Sequence, residues 1–207
     1  MAEPSPAAAP DFVFVGGRLW LDFVNTDDAR RGVRLDTIAS FERFVDWLET
    51  ARVLDAERAE SLRRRARQQP SGAAAALVEA RRMRAALRSL AERGRTDHGE
   101  RTREVVMAEI NRVLGRSVGT RRVEALPDGG YVRSFVPVGD LFGGLVIPVI
   151  ESAVDSLVGG ELVRVHKCAD RRCPRHFVDV TRSRTRRWCD MRTCGNRAKA
   201  QRWRARA

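Results

Sequence analysis

Apolar residues in the N-terminal three quarters of the chain recur mostly at helical spacing. In "DTIASFERFVDWLETARVL" the positions Ile38, Phe41, Val45 and Leu48 fall on one face, which predicts an amphipathic helix capped near Asp36 or Thr37. Leu19, Trp20, Phe23 and Val24 in "RLWLDFVNT" follow the same period, so this segment reads as helix rather than strand. "DAERAESLRRRARQQ" opens on the N-cap Asp55 and is mostly polar, and Pro70-Ser71-Gly72 ends it. A long helix follows in "AAAALVEARRMRAALRSLAER", with Leu77, Met83, Leu87 and Leu90 inward. "TREVVMAEINRVLGR" predicts another, with Val106, Ile110 and Val113 or Leu114 inward, and "DLFGGLVIPVIESAVDSLV" a last one kinked at Pro148.

Two segments break the period. "FVFVGG" (Phe12 to Gly17) reads as a short strand and a turn, and "TRRVEALPDGGYVRSFVPV" as a hairpin around Pro127-Asp128-Gly129-Gly130. "MAEPSPAAAP" lacks the basic start and apolar run of a signal peptide and reads as a disordered lead-in. The pattern predicts an α+β chain: residues 1–10 as lead-in, a mainly helical domain with a small β-hairpin element over 11–160, and a small C-terminal unit over 161–207.

Charge separates the last two. The formal net charge is +12. Residues 162–207 hold 15 Lys+Arg against 3 Asp+Glu, and the rest of the chain holds 24 of each. The body is neutral and the tail carries the excess, which points to a polyanionic partner, nucleic acid before a membrane surface. Because 37 of the 39 basic residues are arginine throughout the chain, this asymmetry says more than the choice of arginine over lysine. Asp140, Glu151 and Asp155 interrupt the most apolar stretch, against a membrane span, and the chain reads as cytoplasmic.

The tail also holds every cysteine: Cys168, Cys173, Cys189 and Cys194, two C-x4-C pairs joined by fifteen residues. Two close thiol pairs supply four tetrahedral ligands with little loop strain, the pattern of a structural zinc site, and "HFVDVT" offers a strand for the connecting hairpin. His166 and His176 flank the first pair and leave a mixed Cys/His site open, but the symmetric spacing favours four cysteines. A site filled by protein ligands has no place for water or substrate, so this zinc is expected to be structural.

Beyond Cys194 the chain predicts a helix whose residues Arg197, Gln201 and Arg204 share one face and Lys199, Arg202 and Arg206 the other. Ala200, Trp203 and Ala207 make only a narrow apolar strip, so the helix has little to bury. With Arg182, Arg184, Arg186 and Arg187 of the connector, and Arg192, it forms one basic surface suited to phosphates, while Asn196 or Gln201 could touch base edges.

Cys194-Gly195-Asn196-Arg197 spells the motif that names the CGNR zinc-finger family, and "CADRRCPRHFVDVTRSRTRRWCDMRTCGNRAKAQRWR" resembles that family throughout. It carries both Cys pairs, the F-x-D before the connector and the R-R-W-C-x-M before the last pair. "GGRLWLDFVNT" resembles the opening of the ABATE domain that commonly precedes this finger. The resemblance implies a bacterial, stress-induced transcription regulator with a treble-clef-like zinc finger reading DNA. It implies Cys168, Cys173, Cys189 and Cys194 as ligands, with Gly195 allowing a tight turn. Asn196 and Arg197 have two readings, contact with DNA or support of the thiolates and helix start.

For the body, Asp22, Asn25 and Thr26 among large apolar residues form a candidate effector pocket, against the plainer reading that they satisfy buried backbone groups. Dimerisation is the other role a neutral body suggests, although no residue identifies an interface. No phosphate loop, nucleophile elbow or HExxH is present, and His98 stands alone in a polar loop, so no enzyme is expected. RNA or ribosome binding, and a redox switch at the zinc thiolates, are the alternatives to a DNA-binding regulator.

Overall fold

Short polar side chains set the helix starts. Ser40 accepts the Arg43 amide at 3.2 Å and opens α2 (Phe41–Thr50), and Asp55 accepts the Arg58 amide at 2.7 Å and opens α3 (Ala56–Gln68). Pro70 does not merely end α3: it is the first residue of α4 (Pro70–Arg93), a position where its missing N–H has no intrahelical partner to lose. These elements belong to a computed structural model describing residues 12–30, 33–94, 96, 99–125 and 129–205. The lead-in, His98, Pro127, Asp128, Arg206 and Ala207 lie outside the described residues.

The expected cap at Asp36 or Thr37 is corrected. Asp36 ends β2 (Val33–Asp36), which pairs antiparallel with β1 (Asp27–Arg30) in the register Asp27↔Asp36. The Asp36 carboxylate receives Arg84 at 2.7 and 3.0 Å and the Ile38 amide at 3.1 Å, so it ties α4 to the turn before α2 rather than capping that helix. The Ile38, Phe41, Val45 and Leu48 face is buried as the spacing predicts.

Helix α1 (Leu19–Val24) is the centre of the body and packs against α4, α6 (Ile147–Val158) and the C-terminal hairpin. The Trp20 indole N–H donates to Ser156 at 3.0 Å, which lets a polar-tipped ring lie fully buried. Phe23, Phe44, Trp47, Met83, Leu87 and Leu90 complete this core, and Val106, Ile110 and Val113 of α5 (Glu100–Arg116) join it. Burying each such side chain is worth roughly 1.5–3 kcal/mol. Leu77 sits half-buried at the edge. Pro148 does not kink a helix but lies in the first turn of α6, because 141–146 is a run of turns.

The expected hairpin forms β3 (Gly119–Ala125) and β4 (Tyr131–Pro137). "FVFVGG" forms no strand ladder: Gly16 accepts one bond from the Val178 amide at 2.9 Å, and Gly17, at φ +74°, makes the turn. After a 3₁₀ turn, β5 (Val165–Lys167) pairs with β6 (His176–Val178). A π-turn over Met191–Gly195 then leads into α7 (Asn196–Arg204). The chain is thus α+β: a mainly helical N-terminal region with small hairpins, then a cysteine-bearing unit of one hairpin and one helix, treble-clef-like as expected.

Candidate metal centre and basic surface

Four buried cysteines converge where the β5–β6 hairpin meets the π-turn. Cys168 follows β5, Cys173 precedes β6, and Cys189 and Cys194 bracket the start of the last helical segment. All four sulfurs lie within 4.8 Å of one another, with Cys173–Cys189 and Cys189–Cys194 at 3.7 Å. Four thiolates on a tetrahedral zinc with bonds near 2.3 Å stand about 3.8 Å apart, so the spacing fits that ion. Among bare thiols the load is uneven: hydrogen bonds from Cys173 and Cys189 pull Cys168 far down, and the same sharing pushes Cys173 and Cys189 up. A dication removes that conflict by taking the place of the shared protons. The cluster is the site of one structural zinc ion, held by cysteines alone.

His176 is not a ligand. Its ring is buried, neither nitrogen finds a hydrogen-bond partner among the described residues, and burial, reinforced by Arg88 and Lys167, lowers it to about 4. His166 is half-buried and lies tilted against Phe177, with ring centroids 6.1 Å apart.

Each residue around the ligands has a visible task. Phe177 of the F-x-D motif is fully buried against the cysteines. Asp179 accepts the Thr181 hydroxyl at 2.6 Å and the amides of Thr181 and Arg186 at 2.9 Å, which fixes the connector. The Thr181 hydroxyl is the main reason its carboxyl sits below the ordinary value. Arg186 lies over the Phe177 ring at 4.3 Å and donates to the Trp188 carbonyl at 3.1 Å and the Cys189 carbonyl at 2.5 Å. Arg186, which also donates to the Val15 carbonyl of the body at 3.3 Å, is therefore a strut, unlike its exposed neighbour Arg187.

The named motif resolves into four jobs. Cys194 is a ligand. Gly195 has ordinary helical angles (φ −63°, ψ −47°), so the expected tight turn gives way to a need for room: a Cβ would stand 2.8 Å from the Met191 sulfur. Asn196 donates its amide to the Arg192 carbonyl at 3.1 Å, holding the π-turn closed. Arg197 reaches back 2.9 Å to Asp170, a buried carboxylate between the first two ligands, and so ties α7 to the first knuckle. These contacts go to a carbonyl and a carboxylate of the unit rather than to the thiolates or the helix start.

The other residues expected to meet nucleic acid face outward. Arg182, Arg184, Arg187 and Arg192 are exposed, as are Lys199, Gln201, Arg202 and Arg204, and α7 buries none of its residues.

The three candidate pocket residues each turn to a different partner. Asp22 turns to the Gly16 amide at 2.7 Å, and burial, which these backbone amides oppose, raises it to about 6. The Asn25 side chain clamps His176, accepting from its amide and donating to its carbonyl, both at 2.8 Å. Thr26 donates to the Phe23 carbonyl at 2.7 Å and accepts Arg84 at 2.8 Å. The space beside Asn25 and Thr26 is about 10 Å³, room for about one water and no effector. The plainer reading of these residues holds. A concave surface of about 800 Å³ instead runs between α4 and α5, past Ala86, Val105 and Val106.

Asn25 belongs to a seam that sequence reasoning missed. Arg175 pairs with Asp28 at 2.5 Å, both largely buried, and Arg88 of α4 bridges the two sides, donating to the Val24 and Asp27 carbonyls at 2.9 and 2.6 Å and to the Pro174 carbonyl at 3.5 Å. With Gly16–Val178, these contacts press the metal-bearing hairpin directly onto α1 and β1. Partners 151 residues apart, as Asn25 and His176 are, leave no local trace; the one signal available was the oddity of polar residues inside the apolar "RLWLDFVNT".

The sequence model of the ABATE family, "Putative stress-induced transcription regulator", matches residues 17–160. The chain belongs to the ABATE family. The CGNR zinc-finger model matches residues 164–207, so this ABATE protein carries that finger at its C-terminal end. Both families are described as regulator or zinc finger, not by a reaction. No match was found among curated proteins. No helix among the described residues is long and apolar enough to cross a membrane.

Proposed function

We propose that this ABATE protein is a cytoplasmic DNA-binding transcription regulator whose zinc finger docks through its cationic face. Zinc holds the hairpin, connector and α7 in one shape. Arg182, Arg184, Arg187 and Arg192 of the connector and π-turn, with Lys199, Arg202 and Arg204 of α7, contact phosphates, and Gln201 reaches toward base edges. Asn196, Arg197 and Arg186 act through the shape of the unit. The observation that carries this reading is α7 itself: a 9-residue helix with four cations and no buried residue has no core to serve. The body takes the regulatory part, and its direct seat on the finger makes any change in α1 or β1 a change at the finger's base.

The test is binding of the zinc-loaded chain to fragmented genomic DNA over a salt series with competitor present. Seven phosphate contacts give a log–log slope of roughly −6, at about −0.9 per contact. Weak binding that ignores salt would defeat the proposal.

A further inference from the structure

Reading duplex sequence takes side chains that hydrogen-bond base edges in a groove, and α7 has few to offer. Asn196 is occupied with the Arg192 carbonyl and Arg197 with Asp170, which leaves Gln201 as the one neutral polar side chain on the helix with no recorded bond. The large apolar side chain of this helix is Trp203, 72% exposed.

The other tryptophans are placed differently. Trp20 and Trp47 lie in the core, 0% and 1% exposed. Trp188 is half-buried against the cysteines, with the Arg187 guanidinium 5.3 Å from its ring centroid. Trp203 packs in no core cluster, and no aromatic or cation–π contact of its ring is recorded among the described residues. One turn back along the helix stand Lys199 and Ala200, so a cation neighbours the ring and a methyl group leaves its face uncovered. Arg202 and Arg204 flank it in sequence. A bare indole with a cation one turn back on a cationic helix is the combination that holds single strands, where charge tracks the backbone and an aromatic face takes a base.

We infer that Trp203 is a stacking platform for an unpaired base, so that the finger prefers single-stranded or locally opened nucleic acid to intact duplex. This rests on the nucleic-acid reading above and narrows it. Bases in a duplex already have both faces covered by their neighbours, and uncovering one costs a few kcal/mol. Every base has a face to stack, so sequence preference is slight and phosphates supply most of the affinity.

The experiment titrates the zinc-loaded full chain with a thymidine oligomer and with a hairpin duplex of equal phosphate number. Indole emission and affinity are followed at several salt concentrations. The oligomer is expected to quench emission and to bind more tightly than the duplex. Trp203→Ala, which removes no core contact and is checked for unchanged zinc content, abolishes the quench and weakens oligomer binding about tenfold. It leaves duplex binding and the salt slope unchanged, and Trp203→Phe restores most of the loss. Tighter binding to duplex, or equal binding by wild type and Trp203→Ala, overturns stacking while steep salt dependence still upholds the polyanion reading. Salt-insensitive binding to both ligands overturns both.

Discussion

Helices α4 and α7 are both rich in arginine, and they use it in opposite ways. Along α4, Arg84 is buried and bonds Thr26 and Asp36, Arg88 reaches the Val24 and Asp27 carbonyls, and Arg81 reaches the Ala39 carbonyl at 3.0 Å. These guanidinium forks fasten the β1–β2 hairpin to the helix that supports it. Burial pushes the Asp36 carboxyl up, but the bonds and charge of Arg84, with Arg81 behind it, outweigh that and hold it below its ordinary value. On α7, Arg197 is the one cation with an acidic partner among the described residues, and Arg202 and Arg204 are exposed. Arginine content therefore says little by itself; what matters is whether the geometry supplies an acceptor. The body supplies many, and the tail, with 3 acidic residues for 15 basic ones, cannot.

The largest way to break this comparison is to remove the metal. Structural zinc contributes about 10–16 kcal/mol to folding in zinc-finger peptides, so chelation or Cys189→Ser should abolish amide protection across β5, β6 and α7. Hydrogen exchange should find α4 and α5 still protected, because most of the cluster they share with α1, α2 and α6 is built from body residues. Next comes the seam. Asp28→Ala strands the buried Arg175 cation and should cost about 3–5 kcal/mol in urea unfolding, whereas Arg202→Ala should stay within about 0.5 kcal/mol.

Asp22 sharpens the contrast as a buried carboxylate served by amides rather than by a guanidinium. Its folded value of about 6 stands above the ordinary 3.8, so the native state holds the proton more tightly than the unfolded chain. Stability should fall as pH rises through that window, by about 3 kcal/mol in all, and level off above it. Asp22→Asn should flatten the profile between those limits, read from urea midpoints at successive pH values.

Local pattern revealed much of this architecture. The burial of Ile38, Phe41, Val45 and Leu48, the Asp55 cap, the β3–β4 hairpin and the four ligands all follow from spacing, because periodicity and metal geometry are short-range properties. What spacing hid was long-range or polar. The β1–β2 hairpin pairs "DDAR" with "VRLD", segments too short and too polar to stand out, and Asp27 and Asp36 find their partners among arginines of a distant helix. Pro148 at a helix start and Pro148 at a kink look alike in sequence until the preceding turns are known. Asp22, Asn25 and Thr26 looked like a pocket because buried polar residues attract that reading, and only the backbone atoms they satisfy reveal the seam.

The most direct test of the account is the salt dependence of DNA binding for the wild-type chain and for an Arg202→Ala/Arg204→Ala variant. The account predicts that the log–log slope becomes shallower by about two, one for each phosphate contact removed, while unfolding stability stays unchanged. An unchanged slope would mean that the outward cations of α7 do not meet phosphate, and the finger's basic face would then need another partner.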